Sequence, residues 1–245
     1  MMMKICLTDA RLTLQCEAGL AAEGYKLVRL PPITGVDGAV ASHTDIILFR
    51  HGNTVITPKR YAEEQCEIFD FLRSAVPQLK LIYSDEEPQG EYPHDAIYNA
   101  LVVGEYLFAR TETVCRSITD YAKSIGLEVI NVRQGYPACT VLPVSDRAAI
   151  TADDGMADAM QKCGIDVLRI GNSSAILLPP YPYGFIGGAA GVSKSTICFA
   201  GDIESHPDCA KIRDFVQKHG KRCVSLAVGS PLYDVGGMVL FEPEP

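Results

Sequence analysis

One six-residue pattern, apolar–polar–apolar–apolar–polar–apolar, recurs along the chain and constrains its fold more than any other feature. It reads Tyr25-Lys-Leu-Val-Arg-Leu30, Leu127-Glu-Val-Ile-Asn-Val132 and Ile165-Asp-Val-Leu-Arg-Ile170, with looser copies at Leu79-Lys-Leu-Ile-Tyr-Ser84 and Lys221-Arg-Cys-Val-Ser-Leu226. Four of the five follow a glycine directly: Gly24, Gly126, Gly164 and Gly220. Glycine tolerates the left-handed geometry that ends a helix, so the pattern reads as helix, stop, strand. The segments ahead of the glycines carry helical spacing: Leu12, Cys16 and Leu20, then Ile118, Ala122 and Ile125, then Ile212 and Val216. Tyr61, Ile68, Phe69 and Leu72 mark another helix, and Met156 and Met160 a short one. Asp9, Thr57 with Pro58, Thr111, Asp153 and Pro207 are the expected start residues.

Two short strands precede each helix. The nearer ones are Ile5 to Thr8, Thr54 to Thr57, Ala149 to Thr151 and Ile197 to Phe199. The farther ones are Asp45 to Phe49, Asn99 to Val103 and Cys139 to Leu142, joined to them by turns such as Arg50 to Asn53 and Gly104-Glu105. Three strands per helix, with hairpins, argues against a doubly wound sheet, which has nearer one strand per helix. The first and last units are incomplete in complementary ways. Residues 4–33 lack a leading strand, and residues 236–242 are a strand with no helix after it. Pairing them completes a fifth unit and leaves no open edge. The expected architecture is one α/β domain over residues 1–245, a five-fold pseudosymmetric propeller of strand–strand–helix–strand units closed by the C-terminal strand.

Composition narrows the partners. Thirty acidic against 22 basic residues give a net charge of −8, and no basic run exceeds a Lys-Arg pair, so nucleic acid is not an expected partner. No stretch has the roughly 18 apolar residues that span a bilayer, and no secretory leader is legible at the N-terminus, so a cytoplasmic chain without a membrane partner is expected. The nine cysteines lie at 6, 16, 66, 115, 139, 163, 198, 209 and 223, with no C-x₂-C spacing. Free thiols are therefore expected, with neither a metal site nor a cofactor. Gly188-Ala-Ala-Gly-Val-Ser-Lys-Ser195 approaches a phosphate-binding loop, but Ser193 stands where the motif has glycine and a strand follows, so it reads as a hairpin turn.

The five-unit repeat, with Gly135-Tyr-Pro-Ala-Cys-Thr-Val-Leu-Pro-Val144, Ala149-Ile-Thr-Ala-Asp-Asp-Gly155, Tyr183-Gly-Phe-Ile-Gly-Gly-Ala-Ala-Gly191 and Gly201-Asp202 to His206-Pro207-Asp208, resembles an uncharacterised bacterial family of the pentein fold. That superfamily holds guanidino-group-modifying enzymes (arginine deiminases, dimethylarginine hydrolases, amidinotransferases) and a non-catalytic ribosome anti-association factor. The resemblance implies a site where successive units crowd around the axis. The residues at those positions are Asp45, Asn99, Cys139, Gly188 and Gly237, with His94, Asp95, Tyr183 and Asp234 on the same rim.

Those residue types suit nucleophilic chemistry on a small cationic molecule. Cys139 is the expected nucleophile on a guanidine or amidine carbon, with His94 moving protons and Asp95 beside it. Asp45, Asn99, Tyr183 and Asp234 are the expected substrate-binding groups. The resemblance implies a hydrolase or transferase. The alternative it also allows is a non-catalytic binding module whose partner is a protein or the ribosome. The superfamily's enzymes carry their cysteine in the last unit and a His-x-Asp or His-x-Glu motif earlier. Here the last unit has Gly236-Gly237 and the histidine adjoins its aspartate, so the assignments rest on place in the repeat.

Overall fold

The computed structural model describes residues 3–171 and 174–243. Among them are five three-stranded sheets built to one plan, in which a middle strand pairs parallel with the strand after it and antiparallel with a second strand, the preceding one in four sheets and the last of the chain in the fifth. The middle strands are Lys4–Asp9, Thr54–Pro58, Tyr106–Ala109, Ala148–Thr151 and Thr196–Phe199. Their parallel partners are Tyr25–Leu30, Lys80–Ser84, Glu128–Asn131, Asp166–Arg169 and Arg222–Ser225, the five copies of the six-residue pattern. A parallel pair needs a crossover, and a helical connection supplies each one. The crossovers run through Leu14–Ala22, Lys59–Glu64 with Cys66–Ala75, Arg116–Ser124, Asp154–Lys162 and Cys209–Lys218.

The stop glycines behave as their spacing demands: Gly24, Gly126, Gly164 and Gly220 have φ between +75° and +84°. Each helix lays its apolar stripe on its own sheet. Ile118 and Ala122 are fully buried, as are Met156 and Met160, and Ile212 and Val216. Burying one such aliphatic side chain stabilises the fold by about 1.5–3 kcal/mol, so each crossover is held mainly by its stripe. Val239–Phe241 lies antiparallel to the N-terminal strand, with Ile5 opposite Phe241 and Leu7 opposite Val239, so the two ends of the chain share one sheet. A short parallel pair, Ile176–Leu177 with Leu232–Tyr233, lies outside the five sheets. The near phosphate-loop motif is a hairpin, with Ala190–Val192 and Thr196–Phe199 antiparallel across it. No helix among the described residues is long and apolar enough to cross a membrane.

Several element boundaries differ from the sequence expectation. Asp45 and Cys139 do not start strands: they sit in single helical turns, Thr44–Ile47 and Pro137–Thr140, from which the strands Phe49–His51 and Val141–Ser145 emerge. Asn99 lies between the 3₁₀ turn His94–Ala96 and the strand Leu101–Val103. Thr44 to Phe49 are all buried, and a short run buried on every side has no periodicity to separate a helical turn from a strand. The helix expected across Tyr61 to Leu72 breaks at Gln65 (φ −110°, ψ 36°). Thr13 caps the first helix, while Asp9 ends the first strand. The helices expected to start at Thr111 and Pro207 begin at Arg116 and Cys209. Asp153 caps as expected, accepting from the Met156 N–H.

Candidate functional site

The helical turns that interrupt the strand entries are what bring the polar residues together. Cys139 Sγ donates to Asp45 Oδ2 at 2.5 Å. On its other flank Asn99 Nδ2 donates to the same sulfur at 3.6 Å, while Asn99 Oδ1 accepts from the Ala138 N–H at 2.8 Å. That backbone donor fixes which end of the amide faces the thiol. Asp234 arrives from the segment after Leu232–Tyr233, its Oδ1 accepting from Gly236 N–H at 3.0 Å and its Oδ2 from Phe185 N–H at 2.8 Å. Glycine is required beside it: a Cβ on Gly188 would lie 2.0 Å from Asp234 Oδ1. Gly236 (φ +65°) likewise leaves room for His43, whose Cβ would lie 2.2 Å from one placed there.

His43 is the imidazole of this cluster. It is 1% exposed, with Nε2 3.7 Å from Asp9 Oδ2 and Nδ1 3.9 Å from Asp234 Oδ1. Asp9 is occupied by Arg11, which donates to it through Nε at 2.9 Å and Nη2 at 2.5 Å. An imidazole nitrogen of His43, the Cys139 sulfur and an Asp45 oxygen lie within 4.8 Å of one another. Thiolate, imidazole and carboxylate are donors that zinc accepts. They are equally a nucleophile with a proton acceptor and a proton shuttle.

Burial sets the charge state. It pushes the Asp45 carboxyl up to about 8, with the Asp234 charge adding to the effect. It raises the Cys139 thiol well above its ordinary range, helped by the Asp45 and Asp234 charges. Burial likewise raises Asp234, against the opposing pull of His43 and two backbone N–H donors. His43 is lowered, because desolvation of the imidazolium outweighs the nearby carboxylates. At neutral pH the resting cluster is therefore largely protonated at Asp45 and Cys139 and neutral at His43. One Asp45 oxygen, Oδ1, is buried without a hydrogen-bond partner.

The cluster opens onto a cavity of about 750 Å³, with His43, Cys139 and Asp234 in its lining. Tyr92, Tyr136, Tyr181, Tyr183 and Phe185 supply aromatic wall, and Asp37, Glu91 and Asp95 further carboxylates. Among the described residues no lysine or arginine lines it. Tyr136 OH donates to Asp95 Oδ2 at 2.5 Å, and its ring lies 5.2 Å from that of Tyr92.

Of the residues singled out in the sequence, Cys139, Asp45 and Asn99 meet directly, and Asp234 joins them through the cavity lining. Asp95 and Tyr183 line the same cavity. His94 does not: it is exposed at the start of its 3₁₀ turn and absent from the lining, because that turn points Asp95 inward and its neighbour outward. The imidazole beside Cys139 and Asp45 is that of His43, although its sequence shows no partner. The legible signal was its position two residues before Asp45, at the mouth of the same unit. Gly237 lies at the cluster as backbone, its N–H bonded to the Gly188 carbonyl at 2.8 Å.

The model of one family, described as a family of unknown function (DUF6873), matches residues 7–239. No curated protein matches the sequence. Among solved structures, a dimethylarginine dimethylaminohydrolase bound to 4-chloro-2-hydroxymethylpyridine is similar at a TM-score of 0.54 and 11% identity, over 98% of this chain and 100% of that one. The DDAH of Pseudomonas aeruginosa, as a cysteine-to-serine mutant with citrulline, gives 0.54 and 12% over 97% and 98%. The inosamine-phosphate amidinotransferase of Streptomyces griseus gives 0.52 and 14% over 93% and 78%. At these identities the likeness is one of fold, the pentein fold.

Proposed function

The chain belongs to the DUF6873 family and has the pentein fold, and on that premise we propose that it is a hydrolase or transferase acting on a small guanidine or amidine compound through Cys139. The observation that carries the reading is the contact of one thiol with one carboxylate beside an imidazole, at the edge of a cavity lined by carboxylates and aromatic rings and by no cationic side chain. The same reading takes the five sheets as a pseudo-fivefold ring, with this cluster on its axis and the tail strand closing it.

A planar cation entering the cavity meets Asp234, whose oxygens are oriented by two backbone N–H groups; Asp45 and Asn99 do not line the cavity, and Asp45 feels the cation across Cys139. The cation's charge favours the ionised carboxylate, so binding drives the proton off Asp45. The freed carboxylate then accepts the Cys139 proton as sulfur attacks the amidine carbon. The new C–S bond forms a tetrahedral adduct. When it collapses, the C–N bond to the leaving amine breaks, and that nitrogen takes a proton relayed by His43. Water then attacks the remaining S-amidinyl carbon, gives up a proton to the imidazole and releases a urea-type product with the thiol restored. An amine in place of water makes the same sequence an amidino transfer. Asn99 holds the sulfur in register throughout through its amide.

The test is release of amine or ammonia from a panel of alkylguanidines and amidines, with a covalent adduct sought by mass spectrometry. Activity should vanish in Cys139→Ala and fall about 10²-fold or more in His43→Asn. Labelling adds a second measurement. Because the resting thiol is protonated, neutral iodoacetamide should label Cys139 slowly, whereas cationic 2-chloroacetamidine should label it fast relative to a free thiol. Full activity in Cys139→Ala sinks the mechanism. Equal relative rates for both reagents favour the non-catalytic binding module, a reading that the raised thiol also suits.

A further inference from the structure

We infer that the molecule bound here carries a second positive charge and no carboxylate: a guanidino- or amidino-amine, with its reactive group at Cys139 and its second cation at the tyrosine-lined rim. The inference rests on the reading of Cys139 given above. A cavity of about 750 Å³ takes a drug-sized molecule, far more than a bare guanidinium. Its carboxylates fall into two sets. Asp234 belongs with Cys139 and His43, while Asp37, Glu91 and Asp95 line the cavity from other segments, in company with the tyrosines.

Asp95 points to a ligand most directly. It is 4% exposed, its Oδ2 is held by Tyr136 OH, and its Oδ1 is buried with no hydrogen-bond partner. A buried acceptor left unpaired is costly, and an ammonium N–H from within the cavity would satisfy it. Around it Tyr181 and Tyr183 are 43% and 37% exposed, offering ring faces that attract a cation, while the Tyr92 ring already lies against Tyr136 and carries the Arg110 guanidinium 5.6 Å from its centroid. Tyr181 is anchored through its hydroxyl on Asp37.

A substrate carboxylate finds nothing comparable. The arginines near this rim are already engaged. Arg11 is bound to Asp9 and to the Ala39 carbonyl at 2.7 Å. Arg110 donates to Tyr92 OH at 3.1 Å, pairs with Glu112 at 3.5 Å and does not line the cavity. An amino-acid or ω-guanidino acid would thus bring its negative charge among carboxylates with no cation to meet it.

The test uses Cys139→Ser, which retains the cavity without turnover, and calorimetry with four ligands of equal chain length. These are an alkylguanidine, the guanidine ending in an amine, the guanidine ending in a carboxylate, and the diamine without a guanidine. The guanidino-amine should bind at least tenfold tighter than the alkylguanidine and at least 100-fold tighter than the guanidino acid. Adding Asp95→Asn should shrink the tenfold preference to under threefold. If that variant does not fold, Tyr183→Leu, at an exposed ring, should reduce the same preference. Equal binding of alkylguanidine and guanidino-amine, or binding of the acid as tight as the amine, overturns this inference and leaves the Cys139 reading standing. Failure of every guanidine to bind, or equal binding of the diamine, overturns both.

Discussion

Replacing Asp45 by asparagine should make the protein more stable at neutral pH while crippling its chemistry. The carboxyl titrates near 8 in the fold against an ordinary value of 3.8. Between those values the unfolded chain has released its proton and the folded chain has not. Stability is therefore fully present below about pH 3.8 and is lost progressively as pH rises toward 8, by about 1.4 kcal/mol per pH unit. At pH 7.5 the penalty is roughly 5 kcal/mol and at pH 4.5 roughly 1 kcal/mol. Asparagine keeps the size and carries no proton to lose, so its advantage over the wild type should grow by roughly 4 kcal/mol between pH 4.5 and 7.5. A poorer hydrogen bond to the thiol costs the same at both pH values and cancels from this difference. Urea titrations of both proteins at the two pH values measure this, and taking the difference cancels every other titrating group that the change leaves alone. Turnover should fall about 10²-fold or more, since the thiol loses its proton acceptor. If the variant gains nothing at pH 7.5 relative to pH 4.5, Asp45 is ionised at rest and the protonation argument for the whole cluster is wrong.

Guanidinium binding at pH 7 should expel close to one proton, falling to about 0.1 at pH 9, where Asp45 is already ionised; calorimetry in buffers of different ionisation enthalpy reads the number. Gly188→Ala should displace Asp234, whose Oδ1 would lie 2.0 Å from the new Cβ. It should cost about 2–3 kcal/mol and at least tenfold in guanidinium affinity. Gly126→Ala, in open space at φ +79°, should cost only about 1–2 kcal/mol of stability and leave affinity unchanged. Burial raises the Asp95 carboxyl and the Tyr136 hydroxyl pulls it back down, so Tyr136→Phe should move it further up and weaken cation affinity, as read by a pH series of binding isotherms.

How the chain divides between what its sequence determined and what only tertiary structure decided follows from the range of the interactions. The crossover units were legible because each is local. A helical stripe, a glycine at positive φ and a six-residue strand occupy neighbouring positions, and their periodicities differ enough to be told apart. The pairing of Val239–Phe241 with the first strand was legible too, because the first unit lacked one strand and the last had one to spare. The polar cluster was only half legible. Cys139, Asp45 and Asn99 occupy equivalent places in three units, so repetition located them. His43 has no such equivalent, and its contacts to Asp9 and Asp234 span most of the chain. The single helical turns at Thr44–Ile47 and Pro137–Thr140 were hidden because residues buried on all sides leave no pattern. Those turns aim the thiol at the carboxylate, and burial there, which no local spacing encodes, holds the proton on Asp45.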